Sequence, residues 1–242
     1  MFHVYSGPLS GFSTGNHFVQ YRATDNVGRV EATKLIAFKA DSDKPTVTIT
    51  RPADGAVFPL GKVVKANYKC ADKQTGSGID TCVGTVPKGS PIDTSSVGAH
   101  TFTVTATDKA GNVTTKTNHY QVVYTWNGFF APISNSETQK LNLVHAGDLI
   151  KLGFSLHGDH GLGVLAAGSP SSVPVACPSW TPHLVAGAHE GTPSGLFYGL
   201  GSSHYSYGWQ TDSAWAGTCR QFSLALNDGT SQPHLATFMF FA

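Results

Sequence analysis

The sequence predicts an all-β chain: β-sandwiches in tandem, the first of them partial, followed by a distinct C-terminal β-sandwich. Three observations carry this reading. One phrase occurs twice at a fixed offset, each time as a strand, a turn and a returning strand. No amphipathic helix longer than two turns can be drawn anywhere in the chain. Charged residues make up only 13% against 27 glycines and many serines and threonines, a balance that short strands joined by polar turns produce.

The offset is 83 residues: it carries Gly15 onto Gly98, His17 onto His100, Tyr21 onto Val104, Asp25 onto Asp108, Gly28 onto Gly111 and Val30 onto Val113. A period of that length is one immunoglobulin-like sandwich, not a solenoid unit. In the second copy, Phe102, Val104 and Ala106 alternate with threonines, the mark of a half-buried strand. Asp108, Gly111 and Asn112 then supply turn chemistry, because Asp accepts from backbone amides ahead of it and Gly tolerates positive φ. Residues 113–124 return as the last strand.

The first copy repeats this hairpin with Phe18–Tyr21 and residues 30–38, but the opening strands of its sandwich are missing from the sequence. Residues 1–41 are therefore expected to hold only the C-terminal strands of an Ig-like domain, with bare edges to be completed by sequence upstream or by a borrowed partner. A linker around Asp41, Asp43 and Pro45 leads into a complete sandwich over 45–123. It opens with the strand Thr46–Ile49, turns at residues 51–55 and continues with a strand over 63–70. From residue 124 to 242 the composition shifts to aromatics, glycines and histidines, with strand-like pieces at 148–156, 173–177, 204–211, 221–226 and 234–241. This is a second kind of β-sandwich.

A net charge of +1 with pI near 7.8 leaves no electrostatic footprint for nucleic acid. No apolar run reaches the ~20 residues that a bilayer span needs. The first residues lack a basic region followed by an apolar core, so an export signal is expected upstream. The four cysteines form two local pairs, Cys70 with Cys82 and Cys177 with Cys219, and no CxxC spacing occurs. One disulfide per domain is the simplest arrangement and implies an oxidising compartment; two pairs of reduced, buried thiols are the alternative left open by spacing alone.

Residues 1–123, through the ATDxxGxV repeat, resemble the bacterial Ig-like domains strung along large secreted or surface proteins. The C-terminal part is similar to the PxKF domain, on Tyr124-Thr-Trp126-Asn-Gly-Phe129-Phe130-Ala-Pro132, Gly158-Asp159-His160-Gly161-Leu162, Ala176-Cys177 and Ala216-Gly217-Thr-Cys219-Arg220-Gln221. Lys151-Leu152-Gly153-Phe154 stands where the naming motif has Pro-x-Lys-Phe, so a role for that motif's Lys does not transfer. The resemblance implies an extracellular or cell-surface location and an upstream catalytic domain in the parent protein. It strengthens the Cys177–Cys219 pairing and brings no catalytic residue.

Seven of the 11 histidines follow Tyr124: His145, His157, His160, His183, His189, His204 and His234. His157, Asp159 and His160 place two imidazoles and a carboxylate in one turn, a set that suits zinc or copper if His204 or Glu190 completes it. The bland reading is a solvated turn whose Asp bonds its own backbone. Ser202, Ser203, His204 and Asp212 can be assembled on paper into a hydrolytic triad, but no GxSxG elbow is present. The acids after Tyr124 are too scattered to form a glycosidase pair. Tyr205, Tyr207 and Trp209 share one strand face at period two, which is either a platform for stacking sugar rings or core. Asp25 and Asp108 are candidates for calcium between modules, with a backbone-bonding turn role as the competing assignment.

These readings add up to a non-catalytic extracellular segment without a cofactor, serving as spacer and binder of polysaccharide or cell-wall polymer. The alternative is a small metal- or serine-dependent hydrolase in the histidine-rich C-terminal part.

Overall fold

A computed structural model describes residues 4–185 and 195–242. It is all-β, with only two three-residue 3-10 turns, Ser136–Thr138 and Ser213–Trp215, among the described residues. Over these residues the chain divides into two compact units. One comprises Met1–Ala56, Val63–Ile92 and Thr101–Tyr120; the other comprises Val57–Lys62, Asp93–His100 and Gln121–Ala242.

The first eight strands are β1 (Gly15–Tyr21), β2 (Lys34–Ala40), β3 (Thr46–Arg51), β4 (Ala56–Pro59), β5 (Asn67–Ala71), β6 (Ile79–Gly84), β7 (Gly98–Asp108) and β8 (Val113–Val123). They form a β1–β2 hairpin, a β3–β5 pair and a four-stranded sheet in the order β4-β8-β7-β6. The alternation read from the sequence decides what is buried. Phe102, Val104 and Ala106 on β7 are at most 1% exposed. Across from them lie Ile49 and Tyr68, the Tyr68 and Phe102 rings being 5.9 Å apart.

The repeat is a structural repeat as well. Asp25 Oδ1 accepts from the amides of Val27 and Arg29 at 3.0 and 2.8 Å, and Asp108 Oδ1 accepts from those of Ala110 and Asn112 at 2.9 Å each. His17 Nε2 meets the Ser13 carbonyl at 2.7 Å, as His100 Nε2 meets that of Ser96 at 2.9 Å. A carbonyl only accepts, so both ring nitrogens carry a proton. Gly28 and Gly111 adopt φ of +85° and +90° at the matching turn position, where a side chain would be strained. What differs is the cover. The first copy is a two-stranded hairpin, with Phe12 packed on His17 and Phe38, and its Tyr21 is 49% exposed where Val104 is 0%.

The C-terminal strands are β9 (Lys140–His145), β10 (Leu149–Phe154), β11 (Ser171–Val175), β12 (Thr181–Leu184), β13 (Gly195–Gly199), β14 (His204–Gln210), β15 (Cys219–Leu224) and β16 (His234–Phe241). A three-stranded sheet, β10-β14-β13, faces a five-stranded one, β11-β15-β16-β9-β12. In the larger sheet β9 runs parallel to both β16 and β12. Leu152 and Phe154 from one sheet and Phe222, Leu224, Phe238 and Phe240 from the other fill one continuous core, whose burial drives the assembly of the two layers.

Both cysteine pairs are disulfides, Cys70–Cys82 and Cys177–Cys219, which closes the alternative of reduced thiols. The first ties β5 to β6; the second ties the segment after β11 to the start of β15.

Candidate functional site

The turn at 157–161 is built for its own closure. His157 takes a left-handed φ of +61°, and Asp159 Oδ1 accepts from Gly161 N at 2.9 Å. His160 Nε2 donates to the Leu156 carbonyl at 3.2 Å, and its ring lies 5.1 Å from that of Tyr124. His204 is engaged elsewhere: its Nδ1 is 2.8 Å from the Ser202 carbonyl and its ring sits edge-on to Phe130. Among the described residues, the sole trio of His, Cys, Asp or Glu with ligand atoms within 4.8 Å of one another is Asp41, Asp72 and Asp108. The His157, Asp159, His160 and His204 set considered as the alternative zinc or copper site is thus not gathered: Asp159 and His160 bond the backbone of their own turn, and His204 bonds the Ser202 carbonyl. His189 and Glu190 lie outside the described residues.

The assembled triad fares likewise. Asp212 Oδ1 accepts from Ala214 N and caps the turn Ser213–Trp215, while His204 points its Nδ1 at a main-chain oxygen. Among the described residues neither is hydrogen-bonded to the other.

The aromatic series on β14 lies on the core side of the two readings that the sequence left open. Tyr205 is 0% and Trp209 8% exposed, and Tyr207 is packed against the same core. Trp209 meets Phe222 at 4.9 Å and Phe238 at 5.2 Å across the layer. The face shared at period two is the one turned to the second sheet, with Tyr205 and Trp209 buried and Tyr207 partly buried against the core. Burial also raises the Tyr205 phenol above its ordinary pKa, with the Asp159 carboxylate adding to the effect against a lowering hydrogen bond from the His160 amide.

Sequence reasoning missed two features. One is the carboxylate trio. Asp41 Oδ2 accepts from Ser77 N at 2.6 Å, Asp72 Oδ2 from Gly78 N at 2.7 Å, and Asp108 is turned inward at 2% exposure. Hydrogen bonds from Ser77 hold the Asp41 carboxyl below its usual pKa. An all-oxygen set of this kind has the chemistry of a hard-cation ligand group. Asp25, the other residue considered for calcium, serves its turn alone. The three aspartates come from three separate segments; the sequence offered Asp108 as a calcium candidate and Asp41 as a linker residue, but nothing in it paired either with Asp72.

The other missed feature is a cavity of about 330 Å³ in the C-terminal unit, lined by Trp126, Asn127, Gly128, Asn135, Glu137, His234 and Leu235. His234 lies flat on the Trp126 indole, with centroids 3.6 Å apart and planes 4° from parallel. Phe154 covers the indole from 5.0 Å at 24°. Burial lowers the His234 pKa from its ordinary value of 6.5, against the opposing pull of Asp228 and Glu137, so the ring is neutral at pH 7. Asn135 Oδ1 accepts from Phe129 N at 2.7 Å. A second, more open groove of about 700 Å³ is lined by Tyr68, the Cys70–Cys82 bridge, Val83 and Pro87, with Lys69 and Lys88.

No family model matches the chain, and no curated protein does. Among solved structures it is similar to the protocadherin gammaB4 extracellular domain, with 12% identity and a TM-score of 0.28, covering 93% of this chain and 37% of that one. It is also similar to protocadherin gamma B7 extracellular cadherin domains 1–4, at 11% identity and a TM-score of 0.24, covering 92% of this chain and 56% of that one. The chain therefore spans about half or less of the length of these structures, and geometry shared at this level assigns no role.

Proposed function

We propose that this chain is a non-catalytic extracellular segment of a larger secreted or surface protein. In this reading 1–41 and 45–123 are Ig-like modules and 124–242 is a PxKF-like terminal module. Together they space and anchor a catalytic part elsewhere in the parent, with the terminal module binding polysaccharide or cell-wall polymer. The observation that carries the proposal is that each compact unit has its own disulfide, a device of proteins that work in oxidising surroundings. The fate of several reactive side chains supports it: Asp159, His160, His204 and Asp212 are bonded to neighbouring backbone.

Retention on insoluble polysaccharides and on purified cell wall tests the reading. Saturable retention on at least one matrix is expected, with no release of soluble sugar. Stoichiometric zinc or copper in the purified protein, lost together with a hydrolytic activity in His160→Ala, would overturn it in favour of a metal-dependent hydrolase.

A further inference from the structure

We propose that the cavity beside β16 is a binding subsite for a single pyranose ring, recognised through its hydroxyl groups. This rests on the reading of the terminal module as a polysaccharide binder and gives that reading a location.

Of the polar side chains around the cavity, Asn127, Glu137 and His234 are not used up internally, whereas Asn135 Oδ1 is bonded to Phe129 N at 2.7 Å. The Asn127 carboxamide, the Glu137 carboxylate and the ring nitrogens of His234 make no hydrogen bond with any described residue, and all three line the same 330 Å³ space. Elsewhere in this unit the buried polar groups are committed: Asn142 to Ser134 and Thr237, and Asp228 to Thr230 and Tyr124. A concave surface on which donors and acceptors converge without partners is the usual form of a small polar-ligand site, and this one lies at the lower end of the ~300–1,000 Å³ common for such pockets.

The lining also selects the ligand class. Glu137 offers only acceptors, the Asn127 carboxamide offers both kinds, Asn135 keeps its amide donors while its oxygen is bonded to Phe129 N, and a neutral His234 donates through one nitrogen and accepts through the other. Hydroxyl groups also donate and accept, so a polyol can satisfy this mixture. The carboxylate repels anions, and an apolar guest would strand these groups without partners. Trp126 has His234 on one side and Phe154 packed on it as well, so it presents an edge and not a stacking face. Affinity at this subsite therefore comes from hydrogen bonds, and the stacked pair holds His234 in a fixed orientation.

The test is titration of the intact chain with glucose, galactose, mannose, N-acetylglucosamine and glucosamine, followed by tryptophan fluorescence and by the His234 imidazole resonances. At least one neutral sugar is expected to bind saturably and to shift the His234 signals. In Asn127→Ala and Glu137→Gln, both changes of surface side chains, the Kd should rise roughly tenfold or more, the size of a lost charged or paired hydrogen bond. Three results would overturn the proposal: no saturable binding of any neutral sugar, binding of glucosamine alone, or unchanged affinity in both variants. If the variants bind sugar and polysaccharide as well as the parent chain, the polymer-binding reading stands and only the location falls. Loss of matrix retention in the parent chain would instead remove the reading itself.

Discussion

The phenol oxygen of Tyr205 accepts a 2.7 Å hydrogen bond from the His160 amide and donates to the Gly161 carbonyl at 3.0 Å. A fully buried ring on β14 thereby fixes the 157–161 turn. Tyr205→Phe should destabilise the C-terminal unit by about 1–3 kcal/mol, since it strands a main-chain donor and acceptor while changing almost no volume. Urea unfolding at pH 7 measures this, and a loss below about 0.5 kcal/mol would show that water replaces the hydroxyl. The pH response has a definite sign. A phenol whose pKa is raised on folding contributes stability that is complete below the unfolded value near 10 and is lost as pH rises through the folded one. The alkaline limb of the stability profile should therefore flatten in the variant.

Because the two copies of the repeat share turns but not cover, the same substitution should have unequal consequences in them. Phe102→Ala removes a ring that is 1% exposed and should cost about 3–5 kcal/mol. Tyr21→Ala, at a strand position 49% exposed, should stay within about 1 kcal/mol. Equal losses would mean that the hairpin face of the first copy is covered in solution.

The contrast between these copies marks how far the sequence could be read. Turn chemistry is local, so Asp25, Asp108, Gly28 and Gly111 declared the hairpins, while the cysteines suggested a pairing that spacing alone left open. Period two states that Tyr205, Tyr207 and Trp209 share a face but is silent on whether that face meets solvent or a second sheet; that depended on Phe222 and Phe238, which follow in later strands. The parallel placement of β9 between β12 and β16 left no periodic mark at all. The Trp126–His234 stack joins residues more than a hundred positions apart, and nothing in the local pattern of either names the other.

Reduction should weaken both units. In the chain-entropy model, closing loops of 12 and 42 residues stabilises each by roughly 3–4 kcal/mol. Calorimetry with and without a phosphine reductant should show the two transitions moving down together, and Cys177→Ser with Cys219→Ser should move the C-terminal transition alone. A profile unchanged by full reduction would deny the bridges a stabilising part.

His234 gives an acid-side prediction. Burial depresses its folded pKa, so the stability it contributes is present above the unfolded value near 6.5 and is lost as pH falls through the folded one. The C-terminal unit should lose stability as the pH drops below about 6.5, and His234→Phe, which retains a ring over Trp126, should lessen that slope. An NMR titration in which His234 protonates at or above 6.5 would contradict the burial of its ring.

Asp41, Asp72 and Asp108 bring three carboxylates within 4.8 Å, and each is held there by loop amides despite the repulsion among them. Neutralising one without removing its acceptor should relieve that repulsion. Asp72→Asn keeps an oxygen for the Gly78 amide and gives up only the acceptor of the exposed Lys73 amide, a donor that water can take, so it should raise stability by about 1 kcal/mol in ~10 mM salt with a chelator present. The gain should fade near 1 M salt, where the screening length drops to about 3 Å. Asp72→Ala, which abandons the Gly78 amide as well, should be destabilising at both salt concentrations. The pair of variants therefore separates charge from hydrogen bonding: if Asn is as damaging as Ala in dilute salt, the trio is held by attraction to its loops strongly enough that mutual repulsion does not register.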